Sequence, residues 1–279
     1  MFGSSLERIV AFTAGAAVAA ALVYVRARRR TGRPAGLVRV TYWAGRGRCE
    51  PLRCILAAGG LEFEQVFLTE ATGKAELTKL RDAGKLGFDQ LPLVEIDGLS
   101  LVQQTPTANY LAARLDLLPA DFKASYDAQG IYASSQDARG PLMSYPFKEL
   151  PNPPGDKARE LVRAEVHGPK GLFGRYAPKW EAILSSSSGP FFLGGKPSIA
   201  DVGAFEVLDF YAEIFGDDAL RAALVRFPRV QTMLDATKAL GRLADHCDVE
   251  RTRYATWDAA TKTHCKWLGY AMAVRTTLS

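Results

Sequence analysis

Apolar and polar positions alternate from Leu37 to Thr41, the two-residue period of a half-buried strand. From Glu50 to Ala58 the period lengthens to that of an amphipathic helix, which Gly59-Gly60 closes. Phe63 to Leu68 returns to a strand pattern. Strand, helix and strand together fill about thirty residues, the length of a parallel βαβ unit. A polar helical stretch follows. Leu91 to Ile96 then reads as a strand interrupted early by Pro92, Asp97-Gly98 as a two-residue hairpin turn, and Leu99 to Val102 as the partner strand. A helix is expected from near Pro106, because proline is tolerated in a first turn. From about Asp121 the helical period holds through residue 243, with breaks at Pro151 to Gly155 and Ser185 to Pro190, and no strand pattern appears. Within this stretch Ser198 and Asp201 have the spacing of a capping box ahead of an apolar helix, a folding signal. The chain therefore predicts βαβ-α-ββα, an all-helical half, and a tail after Asp245.

The N-terminus carries a different pattern. Ile9 to Val25 runs 17 residues without a charge and is followed at once by Arg26, Arg28, Arg29 and Arg30. About 20 apolar residues cross a bilayer as a helix, and the range begins near 17. A secretory signal places its positive charge ahead of the apolar run, and here the charge comes after it. An uncleaved anchor fits best, since arginines right after a span hold that side in the cytosol. The alternative is a transit peptide cleaved inside an organelle, which suits the arginine-rich, acid-poor composition but not the unbroken apolar run. Residues 1–33 are thus expected to be a membrane anchor with its basic flank, and Gly32 to Gly36 a linker. The expected location is the cytosolic face of the outer mitochondrial membrane or endoplasmic reticulum.

Composition changes this picture only at the margins. With 279 residues, 48% apolar and 23% charged, the chain is an ordinary globular one, not disordered or collagen-like. Its net charge of +5 resides in residues 1–33, which hold six arginines and one acid, while the rest of the chain is balanced. A nucleic-acid partner is therefore not expected, because its footprint belongs on the folded face. Four cysteines at 49, 54, 247 and 265 form no CxxC pair, and there are three histidines. Free thiols in a reducing compartment are expected, with neither a disulfide framework nor a metal centre.

The run Tyr42-Trp43-Ala44-Gly45-Arg46-Gly47-Arg48-Cys49-Glu50-Pro51-Leu52-Arg53 resembles the first strand-to-helix turn of cytosolic glutathione S-transferases, nearest the alpha class and next the sigma class. The resemblance continues in order through Lys79 to Gly84, Phe88-Asp89-Gln90-Leu91-Pro92, Val94 to Gly98, Leu101-Val102-Gln103 and Asn109 to Ala112. In the helical half it takes in Leu150-Pro151, Pro153-Pro154, Arg175-Tyr176, Pro178, Glu181, Ser198 and Ala200-Asp201. It covers roughly residues 37–245 and is weakest between about 125 and 149.

The resemblance implies an α/β thioredoxin-like domain with a mixed sheet over residues 34–118, an all-α domain over 119–245 and a tail over 246–279. It also implies glutathione as co-substrate, no metal, and an apolar electrophile or hydroperoxide as acceptor. Free glutathione, like cysteine, has a thiol pKa of about 8.5, so a donor and positive charge aimed at the sulfur favour the reactive thiolate. By resemblance Tyr42 supplies the donor, Arg48 the positive field in the alpha class, and Arg46 a second charge in the same loop. Pro92 matches a cis proline that turns the Leu91 backbone toward the cysteinyl unit, with Gln90 beside it. Gln103 matches the residue at the γ-glutamyl carboxylate. Gln104 stands where the family carries Ser or Thr, a longer side chain expected to crowd that carboxylate. Arg81 matches the arginine near the glycyl carboxylate, Arg175 a further arginine, and Asp137 the acid reaching the neighbouring subunit's glutathione. Phe88 matches an aromatic that inserts into the partner of a homodimer. Cys49 is expected to be a bystander, because the family's catalytic cysteine stands at the position of Tyr42. The rival expectation is a catalytically idle transferase-like subunit of a membrane complex, favoured by Gln104 and by the long tail. Sigma-type prostaglandin isomerisation is a third possibility that the residues do not select.

Overall fold

The computed structural model of the chain describes residues 36–43, 45–144 and 156–256. The anchor segment Ile9 to Val25, its arginines, the Leu150–Pro154 motif and residues 257–279 lie outside the described residues. Among the described residues, no helix is long and apolar enough to cross a membrane.

The first half is a mixed four-stranded sheet in the order β2-β1-β3-β4, with β1 Val38–Trp43, β2 Phe63–Leu68, β3 Leu93–Ile96 and β4 Leu99–Val102. β1 and β2 are parallel, as a crossover through helix α1 (Glu50–Ala58) requires, while β3 runs antiparallel to both β1 and β4. Helix α2 (Glu70–Asp82) opens with a Thr69–Thr72 capping box, and a short 3-10 turn at Gly87–Asp89 leads into the cis peptide Leu91–Pro92. Alternation along β1 sends Val38, Val40 and Tyr42 into the core. Helix α1 has Pro51 in its first turn and is buried along its whole length. It packs against α3 (Gln104–Arg114) on one side and the helical half on the other.

The second half comprises α4 (Phe122–Ala138), the short α5 (Gly140–Met143), α6 (Asp156–His167), a π-helical turn at Leu172–Tyr176 and α7 (Ala177–Ser185). After them come α8 (Ile199–Phe215), α9 (Asp217–Leu224), α10 (Pro228–Lys238) and α11 (Leu243–Thr256). No further strand follows among the described residues, beyond an isolated bridge between Phe191 and Gly194. Helix α8 is the axis of this half, with 16 of its 17 residues buried. The Ser198–Asp201 capping box forms as expected, and Asp201 also accepts the Phe192 amide at 2.9 Å. Burial pushes the Asp201 carboxyl up to about 6, against the pull of those hydrogen bonds.

Two boundaries differ from the sequence reading. Helix α3 begins at Gln104, two residues before Pro106, because the left-handed Gln103 (φ 70°) ends the strand and caps the helix there. Residues 246–256, placed in the tail by the sequence reading, are helical. Helix α11 continues to Thr256, with His246 and Cys247 buried against α1, a long-range contact that local periodicity does not encode.

Candidate functional site

The C-terminal ends of β1 and β4 and the start of β3 meet at one edge of the sheet. The β1–β3 register pairs Thr41 with Leu93, and the β3–β4 register pairs Leu93 with Val102. The next step along each strand therefore puts Tyr42, Pro92 and Gln103 abreast. The Gln103 amide donates to Gln90 Oε1 at 2.7 Å, tying the two glutamines across the gap. The backbone at Gln103 has φ 70° and ψ 120°, a state few residues other than glycine adopt, and such strain concentrates at binding sites. Just beyond it the N-terminus of α3 presents backbone amides, a favourable place for a carboxylate.

The Tyr42 ring is core, only 4% exposed, and its hydroxyl reaches the loop just ahead of α1, where the Arg48 amide donates to it at 3.2 Å. A phenol oxygen that accepts such a bond is polarised to donate its own proton more strongly. Gly47, at φ 42°, turns the chain so that Arg48 is exposed on this edge. Cys49, the next residue, is completely buried. Arg81 is exposed in the last turn of α2 and pairs with Asp89 at 3.1 Å, on the loop that leads to Gln90. Tyr42, Arg48, Arg81, Gln90, Leu91, Pro92, Gln103 and Gln104 thus gather at one edge of the sheet.

Two sequence expectations are corrected by the geometry. Arg46, expected to lend charge at the open site, is buried and bonded to the helical half. Its guanidinium pairs with Asp209 and Glu213 at 2.7 Å and with Glu206 at 3.1 Å, and lies over the Phe210 ring at 5.1 Å. Burial alone would lower its pKa, but Glu213, Asp209, Glu50 and Glu206 together hold it well above the ordinary arginine value. The physical reason is that α8 carries three carboxylates into an apolar interior, where an unpaired charge costs several kcal/mol. Gln104 does not crowd the edge either. Its amide donates to the Tyr132 hydroxyl at 2.7 Å and to Gln136 Oε1 at 3.0 Å, drawing the side chain toward α4.

Asp137 and Arg175 belong to the helical half. Asp137 is exposed near the end of α4, and Arg175 is exposed on the π-helical turn, stacked over Tyr176 at 5.2 Å. None of the described contacts joins either of them to the other candidates.

The sequence reading missed the residues that hold the loop. Arg139 donates to the Gly47 carbonyl at 2.6 Å while bonded to Glu206 at 2.8 Å. Arg53 donates to the Gly45 carbonyl at 2.8 Å and to Glu50 at 2.9 Å. A signal was available: Glu206, Asp209 and Glu213 recur at helical spacing on an otherwise apolar helix, a pattern that demands buried cations.

Comparison with known proteins agrees with this architecture. The family model "Glutathione S-transferase, N-terminal domain" matches residues 38–113, and "Glutathione S-transferase, C-terminal domain" matches residues 144–248. The chain is 36% identical over 167 residues to glutathione S-transferase alpha-5 of Rattus norvegicus, covering 60% of this chain and 71% of that protein. It is 31% identical over 228 residues to human glutathione S-transferase A3, covering 78% of this chain and 97% of the relative. Among solved structures, the glutathione s-transferase Na-GST-3 of the hookworm Necator americanus superposes with a TM-score of 0.61 at 20% identity, over 77% of this chain and 97% of that one. Prostaglandin synthase D of Nilaparvata lugens superposes at 0.58 and 18% identity, over 76% and 98%. These two share the fold.

Proposed function

The chain belongs to the glutathione S-transferase family, whose members use glutathione as co-substrate and need no metal, and from that premise we propose that Tyr42 activates the thiol at the sheet edge. The observation that carries the reading is the position of the Tyr42 hydroxyl, 3.2 Å from the Arg48 amide in the loop ahead of α1, on a residue one register step from Pro92 and Gln103. The thiol proton leaves to solvent, the Tyr42 O–H donates to the thiolate, and Arg48 with the helix N-terminus adds positive field. Leu91 and Gln90 take the cysteinyl backbone, Gln103 with the α3 amides takes the γ-glutamyl carboxylate, and Arg81 faces the glycyl carboxylate. Asp137 and Arg175 play their family parts from the helical half, Asp137 toward a partner's site. The thiolate then attacks an apolar electrophile, or cleaves the O–O bond of a hydroperoxide to release the alcohol, the oxidised sulfur passing to glutathione disulfide and water with a second glutathione. Because the Gln104 amide is bonded to Tyr132 and Gln136, its length supports the active reading over an idle subunit. Binding of residues 34–279 to immobilised glutathione, with turnover of a generic aromatic electrophile, tests the proposal. No retention and no turnover would leave the idle-subunit reading standing.

The working form is a homodimer. Phe88 is 80% exposed and has a left-handed backbone at φ 59°, so the fold holds a large apolar ring out toward water at a conformational cost. Phe122 and Tyr126, exposed at the start of α4, offer further apolar surface. Phe88→Ser is expected to convert the dimer to monomer with the fold intact, read by sedimentation velocity. An unchanged sedimentation coefficient would remove Phe88 from the interface.

The domain is held at a membrane with its site in the cytosol, at the outer mitochondrial membrane or the endoplasmic reticulum. Support comes from the uncharged run Ile9 to Val25 and the four arginines that follow it. Full-length protein is expected to resist carbonate extraction, a chain starting at Thr31 to be released, and protease added to intact organelles to digest the domain. A protected domain cut near residue 30 would establish the transit-peptide alternative.

A further inference from the structure

Three groups with metal-ligating atoms converge where α11 crosses α1. A Glu50 carboxylate oxygen, the Cys54 sulfur and a His246 ring nitrogen all lie within 4.8 Å of one another, and all three residues are buried. Glu50 and Cys54 are one turn apart on α1 and share a face. His246 arrives from α11 and sets Nε2 at 2.9 Å from Glu50 Oε1. Arg53 holds the other carboxylate oxygen at 2.9 Å, so the Oε1 side is the one turned to the cluster.

Charge balance states what such a cluster can accept. The buried network around it contains Arg46, Arg53 and Arg139 against Glu50, Glu206, Asp209 and Glu213, all below 9% exposure, which leaves one negative charge in excess. A divalent cation held by the Glu50 carboxylate, the His246 imidazole and the Cys54 thiolate cancels that charge, because its two positive charges meet the one in excess and the one that the thiolate adds. The filled site is neutral in a place where a net charge would be costly. Burial, with Glu50 adding to it, pushes the Cys54 thiol well above the usual range, so the thiolate forms here only when a metal displaces the proton. A thiolate, imidazole and carboxylate set suits Zn2+ or Cd2+ and not hard cations.

One member of the cluster, His246, reaches the wall of a surface cleft. The cleft has a volume of about 440 Å³, and its other walls include Glu62, Phe63, Gln65, Arg242 and Asp245. Arg242 is ion-paired with Glu62, which leaves Asp245 to draw cations toward the mouth. Cys247, the next residue on α11, is buried and acts electrostatically on Cys54 but stands outside the three-residue cluster.

We propose that Glu50, Cys54 and His246 bind one soft divalent cation, of the Zn2+ or Cd2+ type, that clamps α11 to α1. The ion has no part in the transferase step. Titration of the reduced full-length chain, in detergent, with Cd2+ alone tests this. One ion per chain should bind, with a thiolate-to-cadmium charge-transfer absorption, release of the Cys54 proton and a raised melting temperature. Cys54→Ser should abolish the absorption, and Cys247→Ser should keep it. His246→Gln should weaken binding by more than the roughly 10- to 100-fold that a supporting residue costs. The last variant also carries the test if Cys54→Ser fails to fold. No absorption in the wild type, an absorption unchanged in Cys54→Ser, or unchanged affinity in His246→Gln would overturn the proposal.

Discussion

Tyr42→Phe is expected to lower transferase turnover about 100-fold, the loss that follows removal of one preorganised donor to a developing or resident anion. Glutathione affinity should change little, because the peptide contacts proposed at Gln90, Leu91 and Gln103 lie on other strands and loops. The substitution keeps the ring, which is core and only 4% exposed, and deletes only the hydroxyl. Stability should therefore fall by no more than the value of a hydrogen bond or two, about 0.5–1.5 kcal/mol each. Steady-state rates with a fixed electrophile, paired with calorimetric binding of glutathione, separate the two effects. Equal turnover in mutant and wild type would remove Tyr42 from the chemistry. Weaker binding at unchanged turnover would recast it as a positioning group.

Arg46→Ala is expected to act in the opposite way, on stability before rate. It removes the Arg46 ion pairs of Asp209, Glu213 and Glu206, all in the interior. Breaking a buried pair from one side costs about 3–5 kcal/mol, because the remaining charge is left without compensation. Urea unfolding at neutral pH should show that loss. The gap between variant and wild type should narrow as pH falls. Buried carboxylates that lose a guanidinium have their pKa values raised in the folded variant, so the cost is fully present at high pH and is relieved as they take up protons. A variant as stable as the parent but with a slower rate would show that Arg46 serves the open site after all.

Much of the fold was legible because its signals are local. The period-2 run before Tyr42, the Asp97-Gly98 turn, Pro51 at the start of α1 and the Ser198–Asp201 capping box each specify their element within a few residues. The sheet-edge residues were legible only as motif, since nothing local says that Gln90 and Gln103 will be tied at 2.7 Å. Arg46 and Arg48 illustrate the limit. The two arginines flank one glycine, and only the tertiary structure sends one into the carboxylates of α8 and leaves the other in solvent. Gln104 failed for the same reason. A side chain judged too long for its own neighbourhood finds partners on α4, about thirty positions away. The Glu50–Cys54–His246 cluster joins residues 196 positions apart at its extremes, so spacing rules for metal ligands could not register it.

The meeting of α11 with α1 also bears on how the chain matures during synthesis. The Ala57 carbonyl at the end of α1 accepts the Arg242 amide at 2.8 Å as well as the Gly60 amide at 2.9 Å. Gly241, at φ 50°, lies so near that a Cβ there would come within 2.5 Å of the Ala57 and Ala58 carbonyls. Helix α1 is thus finished by a segment that leaves the ribosome nearly two hundred residues later. At a typical 5–20 residues per second, the sheet domain waits roughly ten seconds or more with one flank of its first helix uncovered. Such sequence-distant closure slows folding and keeps the two halves from becoming independent units, even though the sheet and the helical bundle look separable in outline. A nascent chain paused in the last third would expose the apolar side of α1 to chaperones or to other chains, and release from that state would depend on the arrival of Gly241.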